Sequence, residues 1–200
     1  MLYQICKHGA WVYYKLFYKM EVEGLDTLDT SVNYIVCANH INLQDPIVIG
    51  ALLPFEGRFM AKKELFKNRI VASFLSKIGV FPVDRDANDL TAIKKALSIL
   101  KNGESLGIFP EGTRNKGKTP LPVKSGVAML AVKTQTLILP VTLDSPYKLF
   151  GRLRVVFHPP VSFESYYGQK VASAELEKMS EQIMKSIYND MKYYGQLLDK

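Results

Sequence analysis

The stretch Asn39-His40-Ile41-Asn42-Leu43-Gln44-Asp45-Pro46 places an imidazole five residues ahead of a carboxylate. A histidine with its ordinary pKa of about 6.5 can accept a proton at neutral pH. A carboxylate on its other ring nitrogen would fix the tautomer and stabilise the imidazolium as it forms. Each residue also has a plainer reading. Asp45 before Pro46 is a common way to open a helix, and His40 is equally read as a satisfied histidine at a strand end.

Two further clusters carry charge into turns. In Phe109-Pro110-Glu111-Gly112-Thr113-Arg114, an apolar run ends in a carboxylate, a flexible glycine, a hydroxyl and a guanidinium. An arginine fork beside free backbone amides suits a phosphate monoester; a solvated Glu–Arg turn is the alternative. In Gly79-Val80-Phe81-Pro82-Val83-Asp84-Arg85 a second arginine follows a strand-like run, fit for a phosphate or for a simple pair with Asp84 or Asp86. No serine sits in a nucleophile-elbow pattern, and Cys37 is expected to face the core of its strand, so no acyl-enzyme is implied. His8, His40 and His158 lack ligand-like spacing, and no metal is expected.

These clusters need elements to hold them. Short apolar, partly β-branched runs at 20–23, 34–38, 59–61, 80–83, 105–109, 137–142 and 153–157 read as strands. Helical stretches at 46–53, 69–78, 90–101 and 125–135 lie between several of them, and a last helix at about 172–198 carries Leu176, Met179, Ile183, Ile187, Tyr194 and Leu198 at helical spacing. Asp89 is placed to cap the helix at 90–101, and Gly103 to stop it. Such alternation predicts an α/β domain, with helices on both faces of a mixed, largely parallel sheet. The chemistry-bearing clusters would then lie at the C-terminal ends of strands, where such sheets bind ligands.

Residues 2–18 read as an amphipathic helix. His8, Lys15 and Lys19 fall along one side, and Tyr3, Cys6, Ala10, Tyr13, Tyr14 and Phe17 opposite, with Trp11 suited to headgroup depth. It would lie in a membrane interface or pack on the protein's own core. No run reaches the roughly 18 apolar residues of a membrane-spanning helix, and no secretory pattern opens the chain. The 200 residues, 48% hydrophobic and 22% charged, suit one globular domain. The net charge of +7 calls for an anionic partner without naming it. The basic residues form no compact stripe with aromatics and no nucleic-acid motif occurs, so no nucleic-acid partner is expected. The two cysteines, Cys6 and Cys37, lie in unlike contexts and fit a reducing compartment.

In order and context the clusters resemble the glycerolipid acyltransferase superfamily, and within it the 1-acylglycerol-3-phosphate (lysophosphatidate) acyltransferases. That family's HX4D block, Asn-His followed by four residues and Asp, is matched by Asn39, His40 and Asp45. Its second block, a strand ending in Arg, is matched by Arg85, and its third by Pro110 to Arg114. The fourth, an apolar-Pro-Val strand, is matched by Leu139-Pro140-Val141-Thr142; Ala61 to Phe66 resembles the connecting segment. The likeness runs from about residue 22 to residue 160. Two departures stand out: Asn42 replaces a frequent serine, and a short helix replaces the frequent membrane-spanning or hairpin helices.

The resemblance implies an interfacial helix at 1–19 and an acyltransferase domain at 20–200. His40 would be the base and Asp45 its partner. Glu111 would help hold the glycerol end of the acceptor, with Arg114 and Arg85 on its phosphate, and Asn39, Lys62, Gly112 and Thr113 completing the substrate site. Lys63, Lys116 and Lys118 would add a general pull on anionic lipid. The implied reaction moves a fatty-acyl group onto lysophosphatidate, giving phosphatidate, at the cytoplasmic face of a membrane to which the protein is bound peripherally or monotopically. It needs no cofactor; the co-substrate would be a thioester of coenzyme A or of acyl carrier protein. Glycerol 3-phosphate or another lysophospholipid as acceptor, hydrolysis, and a non-catalytic lipid-phosphate binding module are the competing readings.

Overall fold

The computed structural model describes residues 1–84, 89–115 and 121–193. Seven strands form one sheet: β1 (Lys19–Glu23), β2 (Tyr34–Ala38), β3 (Gly57–Lys62), β4 (Val80–Val83), β5 (Ser105–Ile108), β6 (Leu137–Asp144) and β7 (Arg152–Phe157). Their spatial order is β1-β7-β6-β2-β5-β3-β4. The run from β6 to β4 is parallel, β7 turns against β6, and β1 lies parallel to β7 at the edge. The sheet is thus mixed and largely parallel, as expected.

Strand β2 shows why the sheet is covered on both faces. All five of its residues are buried. Tyr34, Val36 and Ala38 enter one core, shared with α1 (Leu2–Phe17) and α2 (Asp45–Leu52). Ile35 and Cys37 enter the other, shared with α4 (Leu90–Lys101), α5 (Gly126–Thr134) and α6 (Ser173–Asn189). The period-two alternation of a strand distributes its side chains this way. Helix α3 (Arg69–Lys77) lies beside β4, has no buried residue, and leaves Ile70, Val71 and Phe74 exposed.

The helix ends follow local chemistry. Asp89 accepts the Ala92 N–H at 2.9 Å, and Gly103 takes the left-handed stop at φ +76°. Helix α2 departs from its expected start. Gln44 is its N-cap and Asp45 its first residue, because the Asp45 carboxylate is used elsewhere. Helix α6 ends at Asn189, short of the expected 198, and Tyr194 and Leu198 lie outside the described residues.

The α1 helix packs on the protein's own core along one side and leaves apolar side chains exposed along the other. Tyr14 is buried against the core, and the Tyr3 hydroxyl accepts the Gly57 N–H at 3.1 Å. Ile5, Trp11, Val12, Tyr13, Leu16 and Phe17 remain exposed. Tyr13 and Phe17 therefore do not share the inward face with Tyr14, as the helical wheel had them. Among the described residues no helix is long and apolar enough to cross a membrane.

Candidate active site

Strands β2 and β5 are neighbours, with Cys37 opposite Ile108. Beyond them the chain leaves in opposite senses: β2 continues into α2 on one face, and β5 leads to α5 on the other. Such a divergence opens a crevice at the carboxyl ends of adjacent parallel strands. The segment after β2 brings His40 to that crevice, and the segment after β5 brings Phe109 to Asn115.

His40 is 6% exposed, and its Nδ1 donates to Asp45 Oδ2 at 2.8 Å. That leaves Nε2 as the ring nitrogen for a substrate proton. The same Oδ2 accepts the backbone N–H groups of Ile41 and Asn42, each at 2.7 Å, and Oδ1 accepts the Tyr147 hydroxyl at 2.6 Å. Four donors on its two oxygens fix the plane of this carboxylate. The Phe109 ring stacks on the imidazole, with centroids 4.3 Å apart and 25° between planes. Asp45 and Phe109 between them set the tautomer and the orientation of the ring.

Glu111 lies beneath this pair. Its Oε2 accepts the His40 backbone N–H at 2.8 Å, and its Oε1 accepts the Asn115 side-chain amide at 3.2 Å and the Tyr188 hydroxyl. Asn115 in turn donates its backbone N–H to the His40 carbonyl at 2.6 Å. Glu111 is 5% exposed, with protein donors on both oxygens, and supports the histidine from below. Gly112 makes the exit from this buried position possible. At φ +66°, with its N–H donating to Phe109 O at 3.0 Å, it turns the chain so that Thr113 and Arg114 emerge exposed.

Asn39 requires a correction. It is fully buried: its side-chain amide donates to Leu143 O and accepts Leu143 N–H, both at 2.8 Å, clipping the end of β2 to β6. No face is left for substrate. Lys62, by contrast, is exposed at the end of β3 and borders the crevice, with Glu64 3.8 Å away. Lys63 is paired with Asp84. Arg85, Lys116 and Lys118 lie outside the described residues. Cys37 is fully buried and its thiol is pushed up by burial, which suits core packing and not nucleophilic attack.

The crevice continues as a groove of about 510 Å³. His40 and Arg114 line it together with apolar residues of α1, α2, β3, α3 and β4, among them Ala10, Ile47, Phe59, Phe74 and Val80. A polar reaction centre thus borders an apolar channel. Tyr147, Tyr188 and Asn115, which hold the dyad and its support, were not legible in the sequence: Tyr147 is 102 residues from Asp45 and Tyr188 is 77 from Glu111.

A histidine oriented by aspartate, a turn that emerges in an exposed arginine, and an apolar groove on a doubly covered sheet suit acyl transfer. The chain belongs to the acyltransferase family: the family profile described as Acyltransferase matches residues 19–144. Among its relatives is the 1-acyl-sn-glycerol-3-phosphate acyltransferase of Bacillus subtilis, 32% identical over 166 residues, covering 80% of this chain and 82% of that one. The enzyme of the same name from Streptococcus pneumoniae is 34% identical over 84% of this chain and 61% of its own length. The crystal structure of the 1-acyl-sn-glycerophosphate acyltransferase PlsC from Thermotoga maritima superposes with a TM-score of 0.74. It is 30% identical and covers 94% of this chain and 78% of that one.

Proposed function

We propose that this acyltransferase moves a fatty-acyl group from a thioester of coenzyme A or acyl carrier protein to the free hydroxyl of 1-acyl-glycerol 3-phosphate, forming phosphatidate. The observation that carries the reading is the His40–Asp45 pair at the head of an apolar groove that also takes in Arg114. The acceptor's phosphate sits on Arg114, which has no carboxylate partner among the described residues, with Lys62 nearby as a second cation. Arg85 is a further phosphate contact in the same reading. One acyl chain lies in the groove.

His40 Nε2 takes the proton of the glycerol hydroxyl as that oxygen attacks the thioester carbonyl. The new C–O bond forms, the C–S bond breaks, and the imidazolium returns its proton to the leaving thiolate. Asp45 holds the imidazole and stabilises its charged form throughout. Glu111 acts through the His40 backbone. Neither a metal nor a redox cofactor takes part.

The exposed apolar residues of α1 (Ile5, Trp11, Leu16) and of α3 (Ile70, Phe74) flank the elements that wall the groove. They would enter the interfacial layer of a bilayer, while the +7 charge favours anionic lipid on its cytoplasmic face. The test uses purified protein, lysophosphatidate in mixed micelles and each thioester in turn, with phosphatidate followed by mass spectrometry. Phosphatidate from the wild type and a loss of roughly 10²-fold or more in His40→Ala are expected. Equal rates from both would remove His40 from the mechanism, and free fatty acid in place of phosphatidate would make the protein a hydrolase.

A further inference from the structure

The geometry points to Tyr147 as a positioning residue of the reaction: its hydroxyl sets the orientation and charge of Asp45, and through Asp45 the basicity of His40. The inference rests on the dyad reading above and adds a third member to it.

The Asp45 oxygens are not equivalent. Oδ2 receives three donors, His40 Nδ1, Ile41 N and Asn42 N, whereas Oδ1 receives the Tyr147 hydroxyl, at 2.6 Å. The local backbone therefore supplies everything Oδ2 needs, and the remaining oxygen is answered from a distant loop. A carboxylate fixed through one oxygen can still pivot about it; a short bond to the other fixes its plane, and with it the imidazole.

The loop is built to deliver that hydroxyl. Tyr147 has φ +50°, a region that side chains with a Cβ rarely adopt. It is held there because Ser145 Oγ accepts the Tyr147 N–H at 3.0 Å and donates to Arg152 O at 2.8 Å. Strained backbone kept in place by its surroundings is a mark of functional positioning. Burial pushes the phenol well above its usual 10, and the Asp45 carboxylate adds to the effect, so Tyr147 remains a donor at every pH where the enzyme would work. Plain core filling is the competing account, since the ring also packs edge-on against Tyr18 at 6.4 Å. Phenylalanine would satisfy that account; it would not satisfy Asp45.

The charges around the triad define the pH response. Tyr14 and Tyr18 face Tyr147 and are neutral; Glu111 faces His40 from below, and Arg114 and Lys62 border the groove above it. Removing the Tyr147 hydroxyl leaves more negative charge on Asp45 opposite the imidazole, which favours the imidazolium. The base then loses its proton at higher pH. The acid limb of kcat/KM is expected to move upward in Tyr147→Phe, with kcat falling roughly tenfold, the scale of one hydrogen bond to a charged group, and KM for lysophosphatidate unchanged. Replacing Tyr147 with 3-fluorotyrosine makes a stronger donor and moves the limb downward.

Profiles of the two variants that shift in opposite directions support the assignment. Profiles that both superimpose on the wild type overturn it, whatever happens to the rate. Should Tyr147→Phe fail to fold, the fluorotyrosine protein decides alone. His40→Ala runs beside them: activity retained there sinks the dyad itself, whereas an inactive His40→Ala with unmoved profiles sinks only the role of Tyr147.

Discussion

The Glu111 carboxylate accepts the backbone N–H of His40 at 2.8 Å, while Asn115, four residues further on, donates its own N–H to the His40 carbonyl at 2.6 Å. The two loops after β2 and β5 are therefore stitched together at the histidine. A carboxylate does this well because both oxygens accept; three donors converge on it, from His40, Asn115 and Tyr188.

Glu111→Gln trades one of those oxygens for an amide donor and leaves a buried N–H or O–H without an acceptor. Losing a buried bond to a charged group costs about 1.5–3 kcal/mol, which for a chain of this size lowers Tm by roughly 3–12 °C. We expect that loss together with a reduced kcat and an unchanged KM for lysophosphatidate, from thermal melts and steady-state kinetics. A raised KM at unaltered stability would return Glu111 to the acceptor-binding role that the family resemblance implies.

Asn39 gives a second separation of structure from catalysis. Its amide satisfies both polar groups of Leu143 in a fully buried position. Asn39→Ala leaves that N–H and C=O unpaired, at about 1–3 kcal/mol for each buried group without a partner. Urea melts should show a lower midpoint at an unchanged slope, with KM for lysophosphatidate intact in the folded fraction. A KM effect without destabilisation would mean that Asn39 reaches the substrate after all.

Seven strands and the helices between them could be read from apolar period and turn residues, because each run is bounded by punctuation such as Asp89 or Gly103. His40 and Asp45 were legible because their partnership is local, five residues apart. What stayed hidden is what the fold brings from far away. Tyr147 and Tyr188 carry no spacing signal, since only the packing of a loop and of α6 sets them beside Asp45 and Glu111. Asn39 misled for a related reason: adjacency to His40 suggests substrate contact, but its amide is taken up by Leu143, 104 residues away on β6.

His158 makes the pH dependence of stability testable apart from catalysis. Burial lowers its pKa below 6.5, Arg154 adds to that, and Asp190 and Glu23 oppose it. The neutral ring donates from Nε2 to Thr142 Oγ1 at 2.8 Å, while that hydroxyl donates to Ile187 O at 2.9 Å. The unfolded chain binds this proton more readily than the folded one, so stability rises with pH through the window between the two pKa values. The contribution is full above about 6.5 and is lost as pH falls through the folded value. His158→Gln keeps a donor for Thr142 and cannot titrate. Urea midpoints compared at pH 7.5 and pH 5 should fall less in the variant than in the wild type; equal falls would show that His158 does not titrate with folding.

The groove offers the most direct handle on substrate choice. Gly50 stands on the α2 face that lines it, and a Cβ built there meets only the Phe59 ring at 3.9 Å and the Tyr3 hydroxyl at 4.0 Å, ordinary contact distances. A longer side chain would continue into the channel. Gly50→Leu should not harm the helix, since leucine is the better helix former by several tenths of a kcal/mol or more. It should exclude the far end of a long acyl chain. Each excluded methylene forfeits about 0.8 kcal/mol of burial, close to fourfold in apparent affinity. We expect the preferred chain, measured with a series of thioesters and lysophosphatidates of graded length, to shorten by several carbons while the shortest substrates keep wild-type rates. The position of the shift also names the occupant: a change along the thioester series places the donor's chain in the groove, and a change along the lysophosphatidate series places the acceptor's. A uniform loss at every length would mean that the leucine disturbs His40, and no change at any length would mean that acyl chains lie elsewhere.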